Sequence, residues 1–271
     1  MLLGIVDIAP LVLLGLLAGT WGVLIGAGGG FVIVPLLLFF KQELEVFQVT
    51  GISLMAVMAN GFSGAVAYWR LGRIDYKSGL AFIAAALPGS VIGAIVVNFI
   101  PRDAFQLVLG LLLLAVAIYT IFKPFRPSGG VRGNVNGMPR LIRDSLGNVY
   151  EYKIRLKAGM GITFFVGFLA SMLGVGGGIF NVPAFVFLLG MPVQVATATS
   201  QFMLGIVSLG ANITNLLQGD VSGYWTMIIA LSGGTILGAQ LGAWISRRLS
   251  SALIIRFLAI GLALVGARLV L

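Results

Sequence analysis

Six stretches of the chain are apolar for about twenty residues each, near 49–69, 78–99, 104–122, 197–217, 224–246 and 252–271. At 1.5 Å per residue, a helix of that length spans the roughly 30 Å of a bilayer's hydrocarbon. A chain in hydrocarbon must pair every backbone polar group internally, and helices do this segment by segment. Composition agrees: of 271 residues 59% are hydrophobic and 9% charged, with a mean hydropathy of +1.09. That is too little charge to cover a soluble domain of this size. The first twenty residues lack a basic leading segment and a small-residue cleavage site, so they read as structure rather than as a cleaved signal.

Two further apolar regions are interrupted. Residues 8–40 are broken by Gly26-Ala27-Gly28-Gly29-Gly30, and residues 158–190 by Gly174-Val175-Gly176-Gly177-Gly178. The pieces that follow, 31–40 and 179–190, reach only about halfway across a bilayer as helices. Consecutive glycines are poor helix formers, and Pro35 and Pro183 add a further irregularity five residues beyond each run. The reading is two short helices meeting at a glycine turn in each case, as a re-entrant hairpin or a broken span.

The two breaks belong to a repeat. Gly26 to Pro35 aligns with Gly174 to Pro183, Leu71-Gly72-Arg73-Ile74-Asp75 with Gln218-Gly219-Asp220-Val221-Ser222, and Gly89, Gly93 and Ala94 with Gly234, Gly238 and Ala239. Three matches in order indicate duplication. The expected fold is an all-α integral membrane protein of two homologous repeats, 1–122 and 158–271, each with three full spans plus a glycine-broken pair. A basic linker, 123–157, joins them.

Charge sets the orientation. Eight of the seventeen basic residues (Lys123, Arg126, Arg132, Arg140, Arg143, Lys153, Arg155 and Lys157) fall in the linker, which marks it as cytoplasmic rather than as a nucleic-acid surface. Arg70, Arg73 and Lys77 then also face the cytoplasm, while Lys41, Glu43 and Glu45 lie outside. If each broken region returns to the face it left, Arg247 and Arg248 are cytoplasmic and the repeats are inverted. If it crosses once, the repeats are parallel and that pair faces outside. The inverted arrangement places every short basic loop on one side and is preferred.

Chemistry is narrowed by absence. With no Cys and no His, thiolate nucleophiles, imidazole bases and the common zinc ligands are excluded, and no enzyme, cofactor or metal centre is expected. All eight acids fall outside the spans or at their ends, so no deep carboxylate is present for a proton relay. The polar residues near the breaks are neutral. A glycine turn offers N–H groups and a helix start, both suited to an anion. The candidate substrate-binding residues are Gly28, Gly29, Gly30, Thr50, Ser53 and Asn60 in the first half. In the second they are Gly176, Gly177, Gly178, Asn181, Thr197, Thr199, Ser200 and Gln201. Arg70, Arg73, Lys77 and Lys157 are expected to attract anions to the cytoplasmic mouth.

The doubled GxGGGxxxxP, the Ser/Thr-rich start of the following span, the loops at Leu71–Asp75 and Gln218–Val221, and Tyr152-Lys153-Ile154-Arg155 resemble the TauE/SafE-type sulfite exporter family, also called the TSUP permeases. The likeness runs over about residues 8–268. It implies a multi-pass protein of a bacterial or archaeal inner membrane that moves small sulfur-containing anions such as sulfite, thiosulfate or organosulfonates. The partners expected are a small anionic substrate and the lipid bilayer, with a homodimer left open and no nucleic acid. An anion channel, or a transporter of another small carboxylate, remains as the alternative.

Overall fold

A computed structural model of the chain describes residues 5–122, 137–219 and 221–270. Lys123, Arg126 and Arg132 of the linker, and Asp220, lie outside these. The first half contains α1 (Ile5–Ile25), α2 (Gly30–Phe40), α3 (Val46–Arg70), α4 (Tyr76–Val96), which ends in a 3-10 turn Val97–Phe99, and α5 (Arg102–Phe122). The second contains α6 (Leu156–Met172), α7 (Gly178–Pro183), which continues as a π-helical turn Ala184–Leu188, then α8 (Val193–Gln218), α9 (Trp225–Ser246) and α10 (Ser251–Val270). Seven of these helices are long and apolar enough to cross a membrane: α1, α3, α4, α5, α8, α9 and α10.

The chain is mostly helical but not all-α. Residues inside the linker form β1 (Met138–Arg143) and β2 (Val149–Ile154), an antiparallel pair with Met138 opposite Ile154 and Arg143 opposite Val149. The physical reason is a period of two in β2. Val149 and Glu151 face outward, while Tyr152 and Ile154 turn inward against Phe82, Phe185, Leu189, Met191 and Val195.

The two halves are interlaced rather than side by side. α1 lies along α9 in parallel register: Gly15 meets the backbone of Leu231, and Gly238 and Gly242 meet that of Leu16 and Thr20. α4 lies along α6 in the same way, with Gly89 on Phe164 and Gly93 on Phe168. Small residues at such contacts let helix axes approach closely, which is how packing energy is gained where apolar burial gains little. Between these pairs, α3 and α8 run antiparallel, Gly64 on Gln201, Gly61 on Gly205 and Gly51 near Asn215. They are the most buried of the long helices, at 67% and 72%, against 33% for α5. Their polar residues therefore face protein, and α5 presents Leu107, Leu111, Ile118 and Ile121 outward.

The two ends of the bundle differ in charge. The end carrying the β-hairpin also carries Arg70, Lys77, Arg247 and Arg248, since Ser145 of the hairpin turn donates its N–H to the Leu71 carbonyl and Gln194 reaches Ser251. The opposite end carries Lys41, Glu43, Glu45 and Asp103. There Arg102 gathers the carbonyls of Leu38 (2.6 Å), Leu44 (2.7 Å) and Gln42 (3.2 Å), tying the end of α2 to the start of α5.

Arg73 departs from its expected role as a free cation. It is only 4% exposed, and its Nε and Nη2 each sit 3.1 Å from Asp144 Oδ2. A second latch joins α4 to the hairpin: Asp75 Oδ2 accepts from Ser78 Oγ (2.6 Å) and Tyr152 Oη (2.7 Å), with Arg140 Nε at 3.4 Å. Burial alone would raise the Asp144 carboxyl. The side-chain and backbone hydrogen bonds from Asn148, with Arg73, outweigh it and hold the group below the usual carboxylate range. A lowered folded-state value contributes stability above the unfolded value of about 3.9, and that contribution is lost as pH falls through the folded value. Asp144→Asn should leave Arg73 buried without a counter-charge, costing about 3–5 kcal/mol. Limited proteolysis at neutral pH should then cut the hairpin faster than in the wild type, while the transmembrane core stays intact.

Candidate functional site

The glycine runs are the places where the helical ladder stops inside the bundle. Gly26, Gly28, Gly174 and Gly176 take left-handed φ values of 77°, 81°, 68° and 75°, a region that residues with a Cβ occupy at a cost. The two breaks lie against each other in opposite directions. Gly30 meets the backbone of Gly174 and Val175, Gly178 meets that of Gly26 and Ala27, and a Cβ at either would overlap the other half's main chain. At the crossing point Gly28 packs on Leu204, and Gly176 on Val57 and Leu204.

Two serines clamp this crossing reciprocally. Ser53 of α3 donates to the Gly174 carbonyl (2.7 Å), and Ser200 of α8, 147 residues further on, donates to the Gly26 carbonyl (3.0 Å). Each half thus satisfies the first exposed carbonyl of the other half's break. Ser53 and Ser200 lie at the breaks, with their hydroxyls engaged on backbone.

The remaining candidates separate into two groups. Asn60 and Gln201 form a locked pair. Gln201 Nε2 donates to Asn60 Oδ1 (2.7 Å), and Asn60 Nδ2 donates to the Gly19 and Thr235 carbonyls (3.2 and 3.1 Å). Thr50 bonds Phe47 within its own helix, and Thr199 accepts from the Asp75 N–H (3.0 Å), which links the hairpin latch to α8. Thr197 is buried beside Gly26 with its hydroxyl unpaired. Of the expected cytoplasmic cations, Arg70, Lys77 and Lys157 are exposed and Arg73 is neutralised by Asp144.

Asn181 belongs to the second group. It is 5% exposed and its Oδ1 has no partner. It lines a small cavity, with room for about one water, together with Ser171, Gly176, Gly177 and Ser208 and apolar groups including Leu54, Val166 and Leu204. The cavity sits about halfway along α4 and α8, with Ala86 and Val207 in its wall. No Lys, Arg, Asp or Glu lines it, and among the described residues no group of three or more potential metal ligands exists.

Ser171, Ser208 and Thr235 are among the buried polar residues outside the expected site. The signal for Ser208 is a stripe: Gln201, Gly205, Ser208, Asn212 and Asn215 recur at spacings of four and three, one face of α8, and that face packs on α3. The N–H groups also differ between the breaks. Gly28 donates to the Gly22 carbonyl (3.2 Å), whereas among the described residues its counterpart Gly176 has no acceptor; Gly29 and its counterpart Gly177 have none either.

Contact geometry at the crossing yields a direct test. Gly178→Ala should force its Cβ into the first break and cost about 1–3 kcal/mol or more, read as a lowered melting temperature in detergent. Gly161→Ala, on an open face of α6, should be neutral or slightly stabilising.

Comparison with known proteins gives these features a family. "Probable membrane transporter protein YunE" of Bacillus subtilis is 36% identical over 267 residues, 96% of each chain. "Probable membrane transporter protein YdhB" of the same organism is 27% identical over 85% of each chain. "Probable membrane transporter protein YfcA" of Escherichia coli is 24% identical over 81% of this chain and 73% of its own length. No solved structure matches. The sequence model described as "Sulfite exporter TauE/SafE" matches residues 11–269, and the chain belongs to that family of membrane transporters.

Proposed function

We propose that the chain is a transporter of small anions, with sulfur oxyanions and organosulfonates as its first candidates, and that it binds them where the two glycine breaks cross. The observation that carries this reading is the crossing itself. Two non-helical segments meet inside the bundle, clamped by Ser53 and Ser200, beside a cavity lined by neutral polar groups. Irregular backbone at membrane depth is tolerated only inside protein or against a water-filled space, and transporters place substrates at such breaks. The family's description as sulfite exporters supports the substrate class.

The repeats are proposed to be inverted. α1 runs parallel to α9, α4 parallel to α6, and α3 antiparallel to α8. Since α3 and α4, like α8 and α9, are joined by short loops, these directions together set α1 against α6 and α3 against α8. Each broken region then returns to the face it left. In this reading residues 1–122 and 158–271 are the two membrane units. The linker 123–157 is cytoplasmic, and the basic end faces the interior of the cell across its inner membrane. A centre with room for only about one water favours a closed form that opens by helix movement over a standing channel.

No buried acid lines the centre, so the membrane potential is the proposed driving force. One negative charge leaving a negative interior gains about 2.3 kcal/mol per 100 mV. In proteoliposomes, efflux of sulfite or thiosulfate should accelerate under an imposed inside-negative potential and ignore a pH gradient. Flux that follows the pH gradient and ignores the potential would sink the uniport mechanism. The absence of saturable flux for any small anion would sink the transport reading.

A further inference from the structure

We infer that the transporter has one substrate site per chain, that it lies wholly in the second half at Ser171, Gly176, Gly177, Asn181 and Ser208, and that it is built for a singly charged oxyanion. This rests on the small-anion reading above and narrows it. The two breaks are alike in backbone but not in what surrounds them. At the repeat offsets, Ser171 corresponds to Val23, Asn181 to Ile33 and Ser208 to Gly61. Every polar side chain of the cavity is thus apolar or absent on the other side, where Val23 and Ile33 are fully buried.

The cavity's polar groups have no other employment. Asn181 Oδ1 is buried without a partner. Among the described residues, the Ser171 and Ser208 hydroxyls, 2% and 3% exposed as residues, also make no hydrogen bond to protein. Among the described residues the Gly176 N–H donates to nothing while its counterpart Gly28 is paired, and the Gly177 N–H is unpaired like that of its counterpart Gly29. Unpaired buried groups cost stability, so the four donors among them at one cavity are explained by a ligand that accepts from them. Two backbone N–H groups, two hydroxyls and the Asn181 Nδ2, which makes no hydrogen bond among the described residues, are neutral donors that suit oxygen atoms carrying negative charge, whereas Asn181 Oδ1 is an acceptor that such oxygens do not satisfy.

Charge selectivity follows from the absence of a cation. The cost of taking an ion out of water grows with the square of its charge, and no Lys or Arg lines the cavity to offset it. Neutral donors can compensate one negative charge far more readily than two. The same first-half position cannot serve as a second site, because it offers Val23 and Ile33 instead.

The test uses the full-length protein in lipid nanodiscs with methanesulfonate and sulfate as probes of equal oxyanion character and different charge. The wild type should bind one methanesulfonate per chain, at least tenfold more tightly than sulfate. Asn181→Leu and Ser208→Ala should each weaken methanesulfonate at least tenfold. Without ligand both should melt at or above the wild-type temperature, since each removes a polar group that has no protein partner. A merely structural role would lower that temperature instead. Ile33→Val, on the other side of the crossing, should leave binding within twofold. Wild-type-like binding by Asn181→Leu and Ser208→Ala would overturn the placement of the site, and equal affinity for sulfate would overturn the charge preference. Both results leave anion transport standing. A wild type that binds and moves no small anion would overturn the inference together with the reading beneath it.

Discussion

Everything in this fold turns on the rule that a peptide group in hydrocarbon must find a partner. The seven long helices meet it unaided. The two glycine runs do not, because their left-handed residues interrupt the ladder. They persist because each lies against the other, and because a serine from the opposite half donates to the first carbonyl of each run. Neither break is stable as a local feature. Beside its local backbone bonds, each takes a hydrogen bond from a serine more than a hundred residues away.

That requirement sorts the helices. α3 and α8 provide the serines and the locked Asn60–Gln201 pair, so they must be polar and central. α1 with α9, and α4 with α6, pack through glycine and small-residue contacts that bring backbones close enough to hold the breaks in place. α5 and α10 close the outside and face lipid with aliphatic side chains. Rigidity at the clamp and vacancy of polar partners around Asn181 are complementary: the first keeps the crossing fixed, and the second leaves hydrogen-bonding capacity unspent beside it.

The spans and the breaks were legible in the sequence because both signals are long-range averages: twenty apolar residues, or five residues nearly all glycine. The helix bounds differ from the reading by only a few residues, as at α3, 46–70 against 49–69. The hairpin was not legible. Two six-residue strands hide among charges, and only the inward face of Tyr152 and Ile154 betrays them. Arg73 was misread for a similar reason. Its neutralising partner, Asp144, lies 71 residues on and reaches it only because the hairpin folds back over the α3–α4 loop. Asn60 and Gln201 stood out as polar residues near a break, but their mutual pairing across 141 residues is a fact of packing. Ser208 gave no local sign at all, since one serine in a polar helix is unremarkable until its stripe is traced.

The interlacing of the halves has a consequence for how the protein is made. α1 finds its principal partner in α9, and Ile25 precedes Trp225 by 200 residues (225 − 25). During synthesis the small-residue face of α1 and the first glycine run enter the bilayer long before the surfaces that cover them exist. Ser53 likewise waits for Gly174, and Gly26 for Ser200. The first half alone therefore lacks the groups that cover its small-residue face and clamp its break, and the crossing at the centre is complete only once both halves are present.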